Sequence, residues 1–229
     1  MKIVLYVLYF DEDSHQKAVH DFQAIPYARY LYIESTKYLE NIVFQKTLPS
    51  LYAEWATADF VGIVSYRALD KGITIQKLRR IESIDPSQYD VVALHPMHRG
   101  THMYRQAVDS HRETFMQIWT AILTKMGFEQ ELITRDSVVP FYCNYWFAKP
   151  KWLKQYCRFQ TQIKDIMETD HRIAQLLQKD PNYKGGIPPE RVRQIFDKDH
   201  YTYHPFILER MCCFYFQTHA KANIAYMWG

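Results

Sequence analysis

The chain of 229 residues has little glycine, only 7 residues, and this scarcity excludes several common ligand-binding motifs. No G-x-G-x-x-G or G-x-x-x-x-G-K-[ST] pattern occurs, so neither a dinucleotide-binding turn of the Rossmann type nor a P-loop is expected. The nucleophile elbow of α/β-hydrolases and the H-E-x-x-H pattern are also absent. Any catalytic residues must therefore belong to a different pattern.

Cysteine is equally scarce, and long apolar runs are missing. The four cysteines lie in hydrophobic surroundings without C-x-x-C spacing, which favours reduced core residues over a disulfide framework or a zinc site. The apolar run at residues 3–10 is too short to cross a membrane, and an acidic triplet ends it without a small-residue cleavage site. We therefore expect a soluble, intracellular, cytoplasmic protein without a transmembrane segment.

No long block of one charge sign is present, since 28 basic and 25 acidic residues give a net charge of +3. Nucleic-acid-binding proteins usually carry a concentrated basic stripe, so nucleic acid is not an expected partner, whereas small anionic ligands stay open. Aromatic residues are abundant instead, with 18 Tyr, 13 Phe and 5 Trp. Tyrosine combines an apolar ring with a hydroxyl, which suits half-buried positions and ligand stacking.

Strands and helices alternate through the first hundred residues. Apolar β-prone runs predict strands at residues 3–10, 29–34, 60–64 and 89–95. Helical patterns fall between them, at residues 14–22, 36–57 and 74–81, with Pro49 expected to kink the second helix. This alternation predicts an α/β fold with a mostly parallel central sheet flanked by helices.

The pattern changes after residue 100, and a mainly helical C-terminal part is predicted. A long helix is expected over residues 104–126, ended by Gly127, and an amphipathic helix over residues 150–168. One more strand is expected at residues 138–147, where Pro140 places it near an edge or bulge. Gly-Gly and Pro-Pro pairs predict a loop at residues 182–189.

Polar residues follow the predicted strands at their carboxyl ends, where open α/β sheets bind ligands. The strand at residues 60–64 is followed by Ser65, Tyr66 and Arg67, and a guanidinium can bind two phosphate oxygens at once. The simpler interpretation of Arg67 is an ordinary surface arginine. Further candidates stand at or after the other strands: Tyr9, Glu34, Thr36, Asn41, Gln45 and His95. The simpler alternatives are a helix cap at Thr36 and a hydrogen-bonding neighbour at His95.

Two charged residues, Glu209-Arg210, interrupt the apolar helical pattern at residues 203–216. Charges inside such a helix are usually paired or face a site, so Glu209 is a candidate general base, with structural pairing as the alternative. Asp136 and His95 are further candidates for the same role.

Four segments of the chain carry a resemblance to a known family. The run Ala58-Asp-Phe-Val-Gly-Ile-Val-Ser-Tyr-Arg67 follows a Leu-Tyr-x-x-Trp segment, and residues 89–92, 144–157 and 206–211 accompany it. Together they resemble small glycosyltransferases of the GT-A type, common in polysaccharide gene clusters and related to capsid glycosyltransferases of large algal viruses. The first segment is similar to the element A-D-Y-V-G-L-x-H-Y-R-R. This chain has Ala68 where that element has its second arginine.

The resemblance implies one glycosyltransferase domain over residues 1–229, with a GT-A-like (Rossmann-like) sheet. A nucleotide-sugar-binding half would cover about residues 1–100, and an acceptor-binding, mainly helical half about residues 101–229. The implied reaction transfers a hexosyl or pentosyl group from a UDP- or GDP-sugar to a hydroxyl of a glycan or glycoprotein. The alternative is a non-catalytic nucleotide- or glycan-binding module.

The resemblance also assigns roles to the candidate residues. Donor binding would involve Tyr9, Glu34, Thr36, Asn41, Gln45, Ser65, Tyr66, Arg67 and His95. Asn144 and Trp146 would bind the acceptor, and Glu209 and Asp136 would be catalytic. GT-A enzymes generally hold Mn²⁺ or Mg²⁺ with an Asp-x-Asp, yet Ser-Tyr-Arg stands at the corresponding strand end. Either a metal is held elsewhere, for example by His95 with a distant aspartate, or Arg67 supplies the positive charge.

Overall fold

Six strands form a mixed sheet at the centre of the molecule. The structure is a computed structural model and describes residues 1–97, 102–135, 138–141, 143–185 and 187–228. The strands are β1 (Ile3–Tyr9), β2 (Ala28–Tyr32), β3 (Phe60–Ser65), β4 (Val91–Ala93), β5 (Trp146–Ala148) and β6 (Ile224–Tyr226). Their order across the sheet is β2-β1-β3-β5-β4-β6.

Most strand pairs in the sheet are parallel. β1 pairs in parallel with β2 on one side and with β3 on the other, and β4 pairs in parallel with β6. β5 lies between β3 and β4 and runs antiparallel to both. The predicted α/β class, with a mostly parallel sheet flanked by helices, is confirmed.

The helices that flank the sheet vary widely in length. The longer ones are α1 (Glu12–Phe22), α5 (Met103–His111), α6 (Thr114–Lys125), α8 (Pro150–Thr169), α10 (Pro189–Phe196) and α11 (His204–Phe214). Shorter helices are α2 (Leu48–Ser50), α3 (Tyr52–Trp55), α4 (Ile75–Arg79), α7 (Gln130–Ile133) and α9 (His171–Leu177). Three 3₁₀ turns (Leu39–Asn41, Leu69–Lys71, Arg80–Ser83) and two π-helical turns (Val43–Thr47, Tyr215–His219) complete the described helical segments. No helix in the described ranges is long and apolar enough to cross a membrane.

Alternating side chains of the strands divide the core between the two faces of the sheet. In β1, Val4 and Leu8 join the core that includes residues of α6, α8 and α11. Leu5 and Val7 join the opposite core, with residues of α1 and α4. Burial on both faces explains why the first strand is continuously apolar, as parallel strands inside α/β proteins are.

The fifth predicted strand departs from expectation in both length and position. β5 covers residues 146–148, so only residues 146 and 147 of the predicted range 138–147 lie in it. β5 is also a central strand, so the placement near an edge or bulge is wrong. Pro140 does not restrict the pairing of β5 because it lies outside the strand. The strand β6 was not predicted at all.

Two predicted helices are divided in the structure. The helix expected over residues 104–126 is interrupted at Arg112, whose φ of 65° is incompatible with a continuous α-helix. The helix expected over residues 36–57 is a succession of 3₁₀, π and α turns. This succession changes which side chains of the segment face the same way.

Candidate functional site

A cleft lies at the carboxyl ends of β1 and β3. β1 connects to β2 on one side and pairs with β3 on the other, and such a switch in strand order opens a crevice where α/β proteins bind ligands. The cleft has a volume of about 230 Å³. Six of the residues predicted from the sequence line it: Asn41, Ser65, Tyr66, Arg67, Asn144 and Glu209.

The turn after β3 presents Tyr66 and Arg67 to the cleft. The buried Ser65 hydroxyl accepts a hydrogen bond from the Arg67 backbone amide at 3.2 Å and lies 3.3 Å from the Tyr145 hydroxyl. The Tyr66 amide donates to the Leu8 carbonyl at 2.9 Å, which joins this turn to the end of β1. The Arg67 guanidinium is exposed, and its contact with Asp70 is long, at 3.8 Å. Ser65 therefore shapes the turn, while Arg67 stays available to a ligand.

A second cation, Lys71, also lines the cleft. The 3₁₀ turn Leu69–Lys71 ends at Gly72, whose φ of 86° lies in the left-handed region that glycine adopts without strain. The Lys71 ammonium lies 5.9 Å from the centre of the Tyr145 ring. Burial alone would lower the pKa of Lys71, but Tyr145, Glu40, Cys143 and Glu209 together outweigh it and hold the pKa above its usual value. Lys71 is therefore a fixed positive charge of the cleft.

The carboxylate of Glu209 reaches the cleft from α11. Its Oε1 accepts a hydrogen bond from the Cys143 backbone amide at 2.6 Å. Burial, and then the nearby Glu209 charge, raise the pKa of the Cys143 thiol, so this thiol is neutral at ordinary pH. Glu209 is thus half-buried between a backbone donor and the open cleft.

Two consecutive residues beside Glu209 have left-handed backbone conformations. Cys143 has φ 61° and Asn144 has φ 57°, and residues other than glycine adopt this region at a cost of roughly 1–3 kcal/mol each. The hydrogen bond from Cys143 to Glu209 holds the first of them. Strained backbone of this kind clusters at functional sites, where the surroundings impose it.

The side chain of Asn144 is tied to Asn41 across the floor of the cleft. Asn144 Nδ2 donates to Asn41 Oδ1 at 3.1 Å, and Asn41 Nδ2 donates to the carbonyls of Tyr38 at 3.1 Å and Pro205 at 3.4 Å. Asn144 Oδ1 is buried and has no hydrogen-bond partner within the described ranges. Asn41 therefore positions its neighbours, and Asn144 retains an acceptor for a ligand hydroxyl or amide.

Aromatic rings form one wall of the cleft. Phe10 and Tyr66 lie edge to face at 6.3 Å, and Tyr183 packs on Phe206 at 4.8 Å and on Tyr201 at 5.1 Å. All five rings line the cleft. Such a wall suits a planar base or the apolar face of a sugar ring.

Three of the predicted donor-binding residues lie outside the cleft lining. The Tyr9 ring stacks on His15, with ring centres 4.4 Å apart. Thr36 Oγ1 accepts from the Tyr38 amide at 3.3 Å, so the simpler interpretation as a cap of the local turn accounts for it. Glu34 is exposed on the loop that follows β2.

Three further predicted residues are also absent from the lining. Trp146 is 1% exposed and stacks on Phe44 in the core, so its assignment to the acceptor is wrong. Gln45 faces a different cavity. His95 follows β4 and is exposed. The part of its ring that is buried, and then the charge of Lys77, lower its pKa. Asp136, the second catalytic candidate, lies outside the described residues.

The residues of the cleft do not fit a divalent cation. The carboxyl end of β3 presents Tyr66 and Arg67, with Lys71 one turn further, and positive side chains repel a metal ion. Within the described ranges, no group of three His, Cys, Asp or Glu residues is arranged to hold a metal. Asp11, of the acidic triplet that follows β1, caps α1, with its Oδ1 accepting a hydrogen bond from the Ser14 amide.

The sequence analysis missed several lining residues, of which Lys71 and Glu40 carry charge. Lys71 lies six residues after the end of β3, beyond the strand-end residues Ser65, Tyr66 and Arg67. Its signal in the sequence is a second cation in the β3–α4 connection that also carries Arg67. Tyr183 and Tyr201 are brought in by distant packing and have no local signal in the sequence.

Comparison of the chain with protein-family models, curated proteins and solved structures finds no match. The function must therefore be argued from the cleft itself.

Proposed function

We propose that this chain is a glycosyltransferase that moves a sugar from a UDP- or GDP-sugar to a hydroxyl of a glycan or glycoprotein. The observation that supports it best is that two cations and the Glu209 carboxylate meet in one cleft. Arg67 and Lys71 come from the β3–α4 connection, and Glu209 comes from α11. Group transfer from a diphosphate needs both kinds of charge.

The cations serve the diphosphate in this proposal. When the bond between the sugar C1 and the phosphate oxygen breaks, the electron pair leaves with the nucleoside diphosphate, whose negative charge grows. Arg67 can bind two phosphate oxygens with its planar guanidinium, and Lys71 adds a point charge. Lys71 also compensates for the arginine that Ala68 replaces in the resembling element.

Glu209 serves the acceptor. The acceptor hydroxyl oxygen forms a new bond to C1, and its proton passes to the Glu209 carboxylate as general base. The hydrogen bond from the Cys143 amide fixes the direction of this carboxylate. The leaving electron pair thus stays on the nucleoside diphosphate, which the cations of the β3–α4 connection bind, and the proton goes to Glu209.

The cleft is smaller than a whole donor. Its volume of about 230 Å³ is below the roughly 300–1,000 Å³ of most small-molecule pockets. A nucleotide sugar would therefore extend beyond the cleft. The sugar and diphosphate occupy the polar floor, and the base stacks on the aromatic wall.

The proposed reaction does not depend on a metal ion. Fixed positive side chains can replace a metal at a departing diphosphate because both act by stabilising the same charge. Mn²⁺ or Mg²⁺, which the resemblance implies, has no fitting set of ligands in the described part of this cleft. Activity is expected to persist in EDTA.

The proposal is tested in two steps on the full chain. UDP, GDP and their glucose, galactose and mannose conjugates are first screened by thermal shift, because a ligand of the native state raises the melting temperature. Release of nucleoside diphosphate is then measured with oligosaccharide acceptors, with and without EDTA. We expect stabilisation by one nucleotide class and acceptor-dependent release.

Each other outcome has a distinct meaning. Binding of nucleotides without release under any condition supports the alternative, a non-catalytic binding module. No stabilisation by any nucleotide contradicts both the glycosyltransferase and a nucleotide-binding module. If the release of nucleoside diphosphate stops in EDTA, only the metal-independent mechanism is contradicted.

A further inference from the structure

A second cavity, which shares no lining residue with the cleft, lies between residues 45–55 and helix α8. Its volume is about 310 Å³, within the roughly 300–1,000 Å³ range of small-molecule sites. Pro49 and Tyr52 line it, and Tyr52 is 38% exposed. The cavity is thus accessible and large enough for a molecule with one ring.

The Gln45 side chain is the unusual feature of this cavity. Both Nε2 and Oε1 are buried and lack a hydrogen-bond partner among the described residues. A buried unpaired amide is costly, and the soft terminal torsion of glutamine lets it turn toward a ligand. Gln45 lies in the π-helical turn Val43–Thr47, and such turns are rare and frequent at functional sites. A ligand amide, which offers one donor and one acceptor, would satisfy both atoms.

The rim of the cavity is positively charged. Lys154 and Arg158 lie one turn apart on α8, and no carboxylate of the described residues lines the cavity. Neither cation forms an ion pair with another described residue. The Lys154 ammonium lies 4.3 Å from the centre of the Tyr52 ring. The charge therefore complements an anionic group beside an aromatic ring.

We propose that this cavity binds an amide-bearing aromatic acid. The carboxylate contacts Lys154 and Arg158, the aromatic ring packs on Pro49 and Tyr52, and the amide pairs with Gln45. This site is independent of the proposed transfer reaction, because it shares no residue with the cleft.

The test uses three related probes and calorimetric titration of the full chain. N-acetyl-L-phenylalanine carries the ring, the amide and the carboxylate; 3-phenylpropanoate lacks the amide; N-acetyl-L-phenylalaninamide lacks the carboxylate. We expect N-acetyl-L-phenylalanine to bind about fivefold to tenfold more tightly than either of the others, as expected for one added hydrogen-bonded group.

Two variants localise the binding. Gln45→Leu is expected to weaken the binding of N-acetyl-L-phenylalanine about fivefold to tenfold and to leave the binding of 3-phenylpropanoate unchanged. It should not lower the melting temperature, because it removes a buried unpaired amide. Arg158→Gln is expected to weaken the binding of both acids about threefold to fivefold and to leave the binding of the uncharged probe unchanged. Lys151→Gln removes the same charge from an exposed position of α8 outside the cavity, and should change nothing.

The proposal is overturned if no probe binds at millimolar concentration, or if both acids bind equally to the unaltered chain, Gln45→Leu and Arg158→Gln. An equal loss in Lys151→Gln would also overturn it, since the effect would then come from overall charge.

Discussion

The Glu209 carboxylate accepts a hydrogen bond from the backbone amide of Cys143, 2.6 Å away. This bond joins α11 to the left-handed turn that precedes β5, although 66 positions separate the two residues. The same carboxylate lines the cleft. Glu209 therefore both holds this turn and is available for chemistry in the cleft, and suitable substitutions can separate the two roles.

Replacing Glu209 with glutamine keeps an oxygen that can accept from Cys143 but removes the base. We expect Glu209→Gln to retain the stability of the unaltered chain and to lower sugar transfer about 10²- to 10⁴-fold. Glu209→Ala loses the hydrogen bond as well, so its free energy of unfolding should fall by about 1–3 kcal/mol. Urea unfolding and nucleoside diphosphate release are the two measurements. Near-normal transfer by a folded Glu209→Gln would remove Glu209 from the mechanism.

The two cations of the cleft are expected to act on the diphosphate and hardly on the fold. Arg67→Ala and Lys71→Met should each weaken UDP or GDP binding about tenfold or more, because charge-assisted hydrogen bonds contribute roughly 1.5–3 kcal/mol. The loss should shrink at high salt, which screens the attraction in the unaltered chain.

The matched control for these cations is Arg172→Ala. Arg172 is an exposed arginine of α9 and does not line the cleft. Titration calorimetry should find its nucleotide affinity unchanged. If Arg172→Ala weakens binding as much as Arg67→Ala does, the effect comes from net charge, and the proposed diphosphate contacts are wrong.

Local patterns predicted the part of the site that depends on single strands. Ser65, Tyr66 and Arg67 follow an apolar run, so their position at a strand end could be read directly from the sequence. Glu209 was recognised because a charge stands in an apolar helix, and helix packing then brings it to the cleft. Both signals act within one turn or one strand.

Long-range pairing decided what the sequence could not predict. β5 is inserted between β3 and β4 as a central antiparallel strand, a relation that no local pattern of its three residues reveals. On a continuous α-helix, such as the one predicted over residues 36–57, Gln45 would share a face with Asn41, four residues before it. The change from a 3₁₀ turn to a π turn between them alters the angle per residue, and Gln45 faces the second cavity instead.

The centre of the sheet depends on the absence of a side chain at Gly62. A Cβ built there would lie 2.6 Å from the Phe147 ring, which packs across from it on β5. Gly62→Ala should therefore lower the free energy of unfolding by about 1–3 kcal/mol, as overpacked cores do. In the double variant with Phe147→Leu, the smaller side chain makes room, and the two losses should be less than additive. Urea unfolding of the four proteins measures this coupling, and strict additivity would show that the two positions do not compete for space.

Two buried histidines make the stability of the fold depend on pH. His111 is 3% exposed and His204 is 2% exposed. Burial, and then the charges of Arg210 near His111 and Lys37 near His204, lower the pKa of each to about 3. Both are thus neutral in the folded chain, whereas the unfolded chain protonates them near pH 6.5. Since the unfolded state binds more protons below this pH, stability is lost as the pH falls from 6.5 toward 3.

The size of this loss is measurable above the pH at which carboxylates titrate. Between pH 7.5 and 5.5 each histidine should remove about 1.4 kcal/mol from the free energy of unfolding. In His111→Gln the loss over this interval should be smaller by that amount, as judged by urea unfolding at the two pH values. His171→Gln is the control, because His171 is exposed on α9 and its removal should not alter the pH dependence. An unchanged pH dependence in His111→Gln would mean that His111 has the same pKa in the folded and the unfolded chain, contrary to its burial beside Phe115 and Phe206.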